Sequence, residues 1–333
     1  MKAMQLEAVA DVGTSPLRLV DLPDPRPGEG EVRLRVSCCG VCRTDLHVIE
    51  GDLPERRMPV VPGHQIVGLV DAEGGNCRRG LIGRRVGVAW LRHTCGECRF
   101  CGRGSENLCE EQRFTGYHAD GGYAEYVVAP EDYVYDLPDA FCDVEAAPLL
   151  CAGIVGFRAF KRSRPQEGGA LAIYGFGSSA HIIARIALHR AMELYVVTRG
   201  ESHRRLAMDM GAKWAGEKAE DMPVKVQSAI LFAPAGELVP QALERLDKGG
   251  TLSIAGIHMS PIPELDYERH VFHERDIRSV TANTRKDGRE LFDVAAEVPV
   301  RPRTNTYPLA KANQALQDLK ADRIDGTAVL TVG

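Results

Sequence analysis

Leu171-Ala172-Ile173-Tyr174-Gly175-Phe176-Gly177-Ser178-Ser179-Ala180 is the stretch that decides the fold. Four apolar residues make a short strand-like run, two glycines punctuate it, and a helical pattern follows to about His189. Such glycines let the chain turn tightly and let a pyrophosphate approach the backbone, while the next helix's N-terminus stabilises its charge. The third glycine of a G-x-G-x-x-G pattern is Ala180 here, still small enough for close helix–sheet packing. Taken alone, the pattern fits a plain tight turn as well as a dinucleotide site. Its surroundings decide between the two.

Downstream, Leu194–Val197 reads as a second strand and Ser202–Met210 as a second helix. Ala229–Ala233 and Thr251–Ile257 read as further strands, with a helix over Val239–Leu246 between them. Strands and helices alternating at this length imply right-handed crossovers and a parallel sheet. That context favours the dinucleotide site, with Gly175, Gly177, Ser178 and Ser179 as its candidate contacts. Past Asn283 the pattern gives a helix over Glu290–Glu297, a strand near Tyr307, another helix and a strand over Ile324–Leu330. Upstream, the first third reads mostly as β. Val32, Leu34 and Val36 alternate behind a loop marked by Pro23, Pro25 and Pro27, and Pro59–Val70 and Arg85–Trp90 follow as strands. The small apolar residues of Asp143–Phe160 then predict a helix.

Composition sets the outer bounds. A chain of 333 residues has room for two domains, and 44% apolar with 26% charged residues is the balance of a soluble globular protein. A net charge of −5 argues against nucleic-acid binding, and no apolar run nears the ~18 residues of a membrane span. Met1–Ala10 lacks the apolar core of a signal peptide, so a cytoplasmic location is expected. In a reducing compartment, ten cysteines point to metal binding or catalysis.

Their spacing carries the point. Cys95, Cys98, Cys101 and Cys109 form C-x2-C-x2-C-x7-C, and four thiolates close a tetrahedral Zn²⁺ site of the structural kind. The alternatives are free cysteines crowded by chance and an iron–sulfur cluster, although nothing else in the chain points to electron transfer. Cys42, His64 and Cys151 cannot be joined by spacing. Singly, His64 fits a turn histidine and Cys151 a buried apolar thiol.

Gly40-Val41-Cys42-Arg43-Thr44-Asp45-Leu46-His47, Pro62-Gly63-His64, the Cys95–Cys109 lobe, Leu150-Cys151-Ala152-Gly153 and Gly175-x-Gly177 occur in one order. In that order they resemble the zinc-containing medium-chain alcohol dehydrogenases, essentially over the whole chain. The resemblance implies an α/β plus β fold: a GroES-like, largely β catalytic domain with an inserted Rossmann dinucleotide-binding domain. The expected division is 1–152 with a zinc lobe at about 91–112, then 153–283 for the cofactor, then 284–333 returning to the catalytic domain.

It also implies two zinc ions per chain. Cys42, His64 and Cys151 would hold the catalytic one with a fourth position open, and the Cys₄ lobe the structural one. Asp45 matches the carboxylate that orients the ligating histidine. Thr44 matches the hydroxyl on the substrate oxygen, and His47 the imidazole that passes the alcohol's proton to solvent. Arg43 matches a cofactor-phosphate contact or, equally, a solvated surface charge. Trp90 and Leu91 would shape the substrate pocket or belong to the core. The implied reaction is hydride transfer between a small alcohol or aldehyde and NAD(P), in a homodimer or homotetramer.

Two positions depart from the family pattern. Gln65 follows His64 where Glu is usual, and Val155 stands where Thr is common beside the nicotinamide. Two rival functions remain, a polyol or amino-alcohol dehydrogenase of the same superfamily and a non-catalytic zinc-binding scaffold. Loss of a catalytic ligand would mark the scaffold, and all three are present. The cofactor expected is NADP in preference to NAD. Counting back from Gly211-Ala212 places Thr198 where NAD-selective domains carry an acidic residue that repels a 2′-phosphate. Arg199 and Arg204 are the candidate cations for that phosphate.

Overall fold

The computed structural model describes residues 1–54, 57–298, 300–324 and 326–333. The chain divides into two compact units, one of Met1–Cys151, Thr284–Phe292 and Arg301–Gly333, the other of Ala152–Asn283 and Asp293–Val300.

In the second unit, six strands are described in the order Trp214–Gly216, Glu193–Val197, Ala170–Tyr174, Val226–Leu231, Leu246–Ile254, Asp276–Ser279. Every neighbouring pair is parallel. Numbered along the chain this is 3-2-1-4-5-6, which places a switch point beside the C-terminal end of Ala170–Tyr174. Leu171, Ala172, Ile173 and Tyr174 are all buried, as a strand covered on both faces requires. Gly175 follows with φ +85°, and a Cβ there would come within 2.9 Å of Ala233 N. Gly177 caps the helix Ser178–His189 and has nothing within 4 Å of where its Cβ would be. That open approach is what a phosphate needs.

The first unit is built on a sheet whose long strand Glu31–Val41 pairs antiparallel with Gln65–Glu73, Thr327–Thr331 and Tyr126–Pro130. Val32, Leu34 and Val36 point into its core with Leu6, Val61 and Tyr123. Four expectations change. Pro59, Pro62 and Gly63, the last with φ +97°, keep residues 59–64 out of the ladder, so the strand expected from Pro59 begins at Gln65. The strand from Arg85 ends at Val88, and Leu91–His93 pairs instead with Arg113–Phe114 at the base of the cysteine lobe.

The helix expected over Asp143–Phe160 is broken. Asp143–Ala146 is helical, Ala147–Leu150 tightens into a 3₁₀ turn, and Cys151 leaves helical geometry before Ala152–Arg162 resumes it. Pro148 has no N–H with which to continue the ladder. The expected strand Ile324–Leu330 includes Asp325, outside the described residues, and the ladder runs Thr327–Thr331. Among the described residues no helix is long and apolar enough to cross a membrane.

Candidate active site

Three different local irregularities bring Cys42, His64 and Cys151 together. Cys42 is the extended residue that starts the helix Arg43–Glu50, His64 ends the Pro-Gly turn before its strand, and Cys151 is the break between helices. Their ligand atoms all lie within 4.8 Å of one another. Cys42 Sγ is 3.3 Å from His64 Nε2 and 3.9 Å from Cys151 Sγ. A tetrahedral zinc with Zn–S near 2.3 Å and Zn–N near 2.0 Å gives such edges, roughly 3.5 to 3.8 Å. The set fits the ion.

Asp45 stands behind it. Its Oδ2 accepts the Cys42 N–H at 2.9 Å, and its Oδ1 lies 3.2 Å from His64 Nδ1, with both side chains buried. The carboxylate thus lies on the Nδ1 side of the ring, with Nε2 toward the cysteines. Burial pulls the His64 pKa down, but the Asp45 charge and then the neighbouring Cys42 outweigh it and hold the imidazole at about 10. Cys42 is raised well above the usual thiol range, first by its hydrogen bond with Cys151 and then by burial. A metal ligand must be deprotonated, so binding here displaces protons and weakens as pH falls.

The second cluster is the lobe. Cys95, Cys98, Cys101 and Cys109 also bring their sulfurs within 4.8 Å, and all ten cysteines of the chain are free. The Cys95 N–H points to Cys109 Sγ and the Cys98 N–H to Cys95 Sγ, each at 3.4 Å, while burial raises the Cys109 thiol. The Cys101 N–H, with help from that of Phe100, draws Cys98 down to about 7. From outside, Arg285 grips the lobe's Glu106: Nη2 and Nε reach Oε2 at 2.7 and 3.0 Å, and the Arg285 backbone N–H meets Oε1 at 2.6 Å. The guanidinium also lies over the Tyr133 ring, whose hydroxyl receives the Thr94 N–H at 2.8 Å.

Sequence pattern treats Trp90 and Leu91 alike, but they differ in place. Leu91 is wholly buried and belongs to the core, which corrects its candidacy for the pocket. Trp90 stays partly exposed, edge-on to His64 at 5.0 Å and stacked on Phe114 and Tyr117 at 4.7 and 5.8 Å. Phe114 and Tyr117 carry no motif and were beyond sequence reasoning. Thr44 is buried in the first helical turn after Cys42. His47, one turn on, holds Asp52 Oδ2 with Nδ1 at 2.7 Å, a partner that no spacing announced. Gln65 is buried with neither amide atom hydrogen-bonded, and it packs against Gly40. Val155 is half-buried in the helix Ala152–Arg162.

In the cofactor turn, Ser178 and Ser179 open the helix behind Gly177. Thr198 is buried one residue past the strand Glu193–Val197, and Arg199 is exposed beside it. Arg204 does not extend outward as a second cation. Its Nη1 turns back to the carbonyl oxygens of Thr198 and Arg199 at 3.0 and 2.6 Å and so shapes the turn. Arg43 is tied to Asp322 at 2.5 Å by an exposed ion pair of little energetic weight.

The chain is similar to known proteins over its whole length. Residues 28–139 match the alcohol dehydrogenase GroES-like domain. A probable alcohol dehydrogenase, AdhA, of Mycobacterium tuberculosis (strain CDC 1551 / Oshkosh) is 51% identical across 100% of this chain and 97% of its own. An alcohol dehydrogenase of Geobacillus stearothermophilus is 36% identical over 97% of this chain and 98% of its own. The cobalt- and zinc-bound thermostable alcohol dehydrogenase of Pyrobaculum aerophilum superposes with a TM-score of 0.88 at 25% identity, covering 100% of this chain and 99% of that one. With whole-length identity of this order joined to both cysteine clusters, the chain belongs to the zinc-dependent medium-chain alcohol dehydrogenases.

Proposed function

We propose that Cys42, His64 and Cys151 hold a catalytic zinc and the Cys₄ lobe a structural one, and that the enzyme moves hydride between an alcohol and a nicotinamide cofactor. The observation that carries this reading is the convergence of three ligand atoms from separate elements within 4.8 Å, with Asp45 behind the histidine. Bound there, zinc supplies a Lewis acid that makes an alcohol hydroxyl more acidic. Thr44, at the same helix start, would hydrogen-bond that hydroxyl and relay its proton, accepting it while passing its own onward. His47 lies one turn along, tied through Nδ1 to Asp52, which is open to water. The proton therefore has a route out along one helix face.

The test is metal exchange. Protein stripped by a chelator should lose alcohol-dependent cofactor reduction, read by nicotinamide absorbance, and regain it with Zn²⁺. Zinc uptake should release protons and weaken as pH falls, following the raised His64 and Cys42. Stripped protein that stays active would defeat the assignment.

The cofactor reading favours NADP. Thr198 offers a hydroxyl without the charge that would repel a 2′-phosphate, and the exposed Arg199 is its cation. Arg204 supports both from behind. Thr198→Asp with Arg199→Ala should reverse the kcat/KM preference between NADP⁺ and NAD⁺ measured with one alcohol. A wild type that prefers NAD⁺ would sink the reading.

Two wider proposals accompany it. A homo-oligomer, dimer or tetramer, is supported by exposed Ile257, Tyr267, Phe272 and Ile277, which lead into the edge strand Asp276–Ser279. Ten cysteines with no disulfide among them fit the reducing cytoplasm.

A further inference from the structure

Trp90 is a partly exposed ring set against a metal ligand, at 5.0 Å from His64, so its position shapes the space beside the centre. A large ring in that place needs backing. One short loop, residues 114–119, supplies it, laying Phe114 and Tyr117 at 13° and 18° to the plane of the indole. The loop is joined to Trp90 itself, because the Thr115 N–H donates to Trp90 O at 2.9 Å. It also leans on the turn that presents His64. Gly116 has φ +75°, and a Cβ there would come within 2.8 Å of Gly63 N.

A histidine closes this loop from both ends. The His118 N–H donates to Phe114 O at 2.9 Å, and in return the Phe114 N–H donates to His118 Nδ1 at 3.1 Å. An imidazole nitrogen that accepts a backbone N–H carries no proton of its own, so this neutral ring holds its proton on Nε2. The same ring packs on both aromatics, 5.5 Å from Phe114 and edge-on to Tyr117 at 4.6 Å. Tyr117 is anchored at its far end, where its hydroxyl donates to Pro54 O. No spacing in the sequence announces these bonds.

We propose that His118 is a positioning residue for the substrate pocket, its Nδ1 holding Phe114 and thereby the Trp90 ring beside the metal centre. The inference rests on the reading that Cys42, His64 and Cys151 hold the catalytic zinc. A substrate held there by its hydroxyl lays its carbon skeleton against that ring. His118 then governs the part of binding that a larger alcohol has and ethanol lacks. The rival role is loop folding alone, which would move all alcohols alike.

Ethanol and benzyl alcohol separate the two roles, the first offering the indole a methyl group and the second a planar ring. His118→Leu keeps bulk and removes the acceptor. It should lower the ratio of kcat/KM for benzyl alcohol over that for ethanol by about tenfold, through KM, the worth of one hydrogen bond and part of a ring contact. His118→Asn puts an acceptor oxygen near the Nδ1 position and should restore most of that ratio. In a Trp90→Ala background His118→Leu should add nothing, because its effect runs through the indole. NMR of wild-type protein labelled with ¹⁵N-histidine decides the bond itself without a variant that must fold around leucine, and should find the His118 proton on Nε2. Equal losses for both alcohols, no rescue by His118→Asn, or a His118 ring protonated on Nδ1 would each overturn the proposal. If chelator-stripped wild type still oxidises both alcohols, the failure belongs to the metal-site reading instead.

Discussion

Cys151→Ser should lower kcat/KM for alcohol oxidation by at least about 10³-fold, since Lewis-acid stabilisation of this kind is worth several kcal/mol. Zinc should fall from two ions to one per chain, because a hydroxyl is a poor substitute for a soft thiolate. Folding should survive. Cys151 lies at a break between helices and is only half-buried, while the apolar core of its unit centres on residues such as Leu34, Ile66 and Tyr123. The measurement pairs steady-state rates with metal analysis and a thermal melt. Retained turnover, or retained second zinc, would remove Cys151 from the catalytic set.

Cys98→Ser should act in the opposite sense, on folding before chemistry. A closed Cys₄ site contributes folding free energy outright, about 10–16 kcal/mol of apparent binding energy in small zinc-finger peptides. Short pieces of structure lie between the sulfurs, a helix of four residues and one 3₁₀ turn, with little apolar core of their own. Without metal this segment keeps little beyond the Arg285 grip on Glu106 to hold it. Trypsin should then cut at the exposed Arg99 or Arg103 in the variant and not in the wild type, and the melting midpoint should drop. A variant that has lost one zinc but keeps wild-type protease resistance would show the lobe to be self-supporting.

What the sequence revealed depended on how local each determinant is. The parallel sheet was legible because each strand, turn and helix of a β-α-β unit is written within about thirty residues, so Ala170–Tyr174 and Ser178–His189 lie close to their expected bounds. The lobe was legible for the same reason, since its four sulfurs span fifteen residues. Cys42 and Cys151, 109 residues apart, share a site only through tertiary structure, and only the resemblance joined them. Other features were beyond one-dimensional reading. Pro148 broke an apolar stretch that periodicity made continuous, and the Pro-Gly pair delayed the strand at Gln65. Arg204 found acceptors in its own turn, which charge counting cannot foresee. Leu91 and Trp90, adjacent and both apolar, parted because only one side chain enters the core.

The grip of Arg285 on Glu106 changes how the lobe can breathe. A surface segment with little apolar packing ordinarily forms its own low-energy opening unit, flickering apart while the rest of the domain stays closed. Here Glu106 is nearly buried and bound through both oxygens, and the same guanidinium covers the ring that holds Thr94. To open, the lobe must give up the two-oxygen grip of Arg285 on Glu106 and the cover of the same guanidinium over Tyr133. The lobe and the segment beginning at Arg285 thereby fuse into one foldon, whose amides exchange with solvent together or not at all.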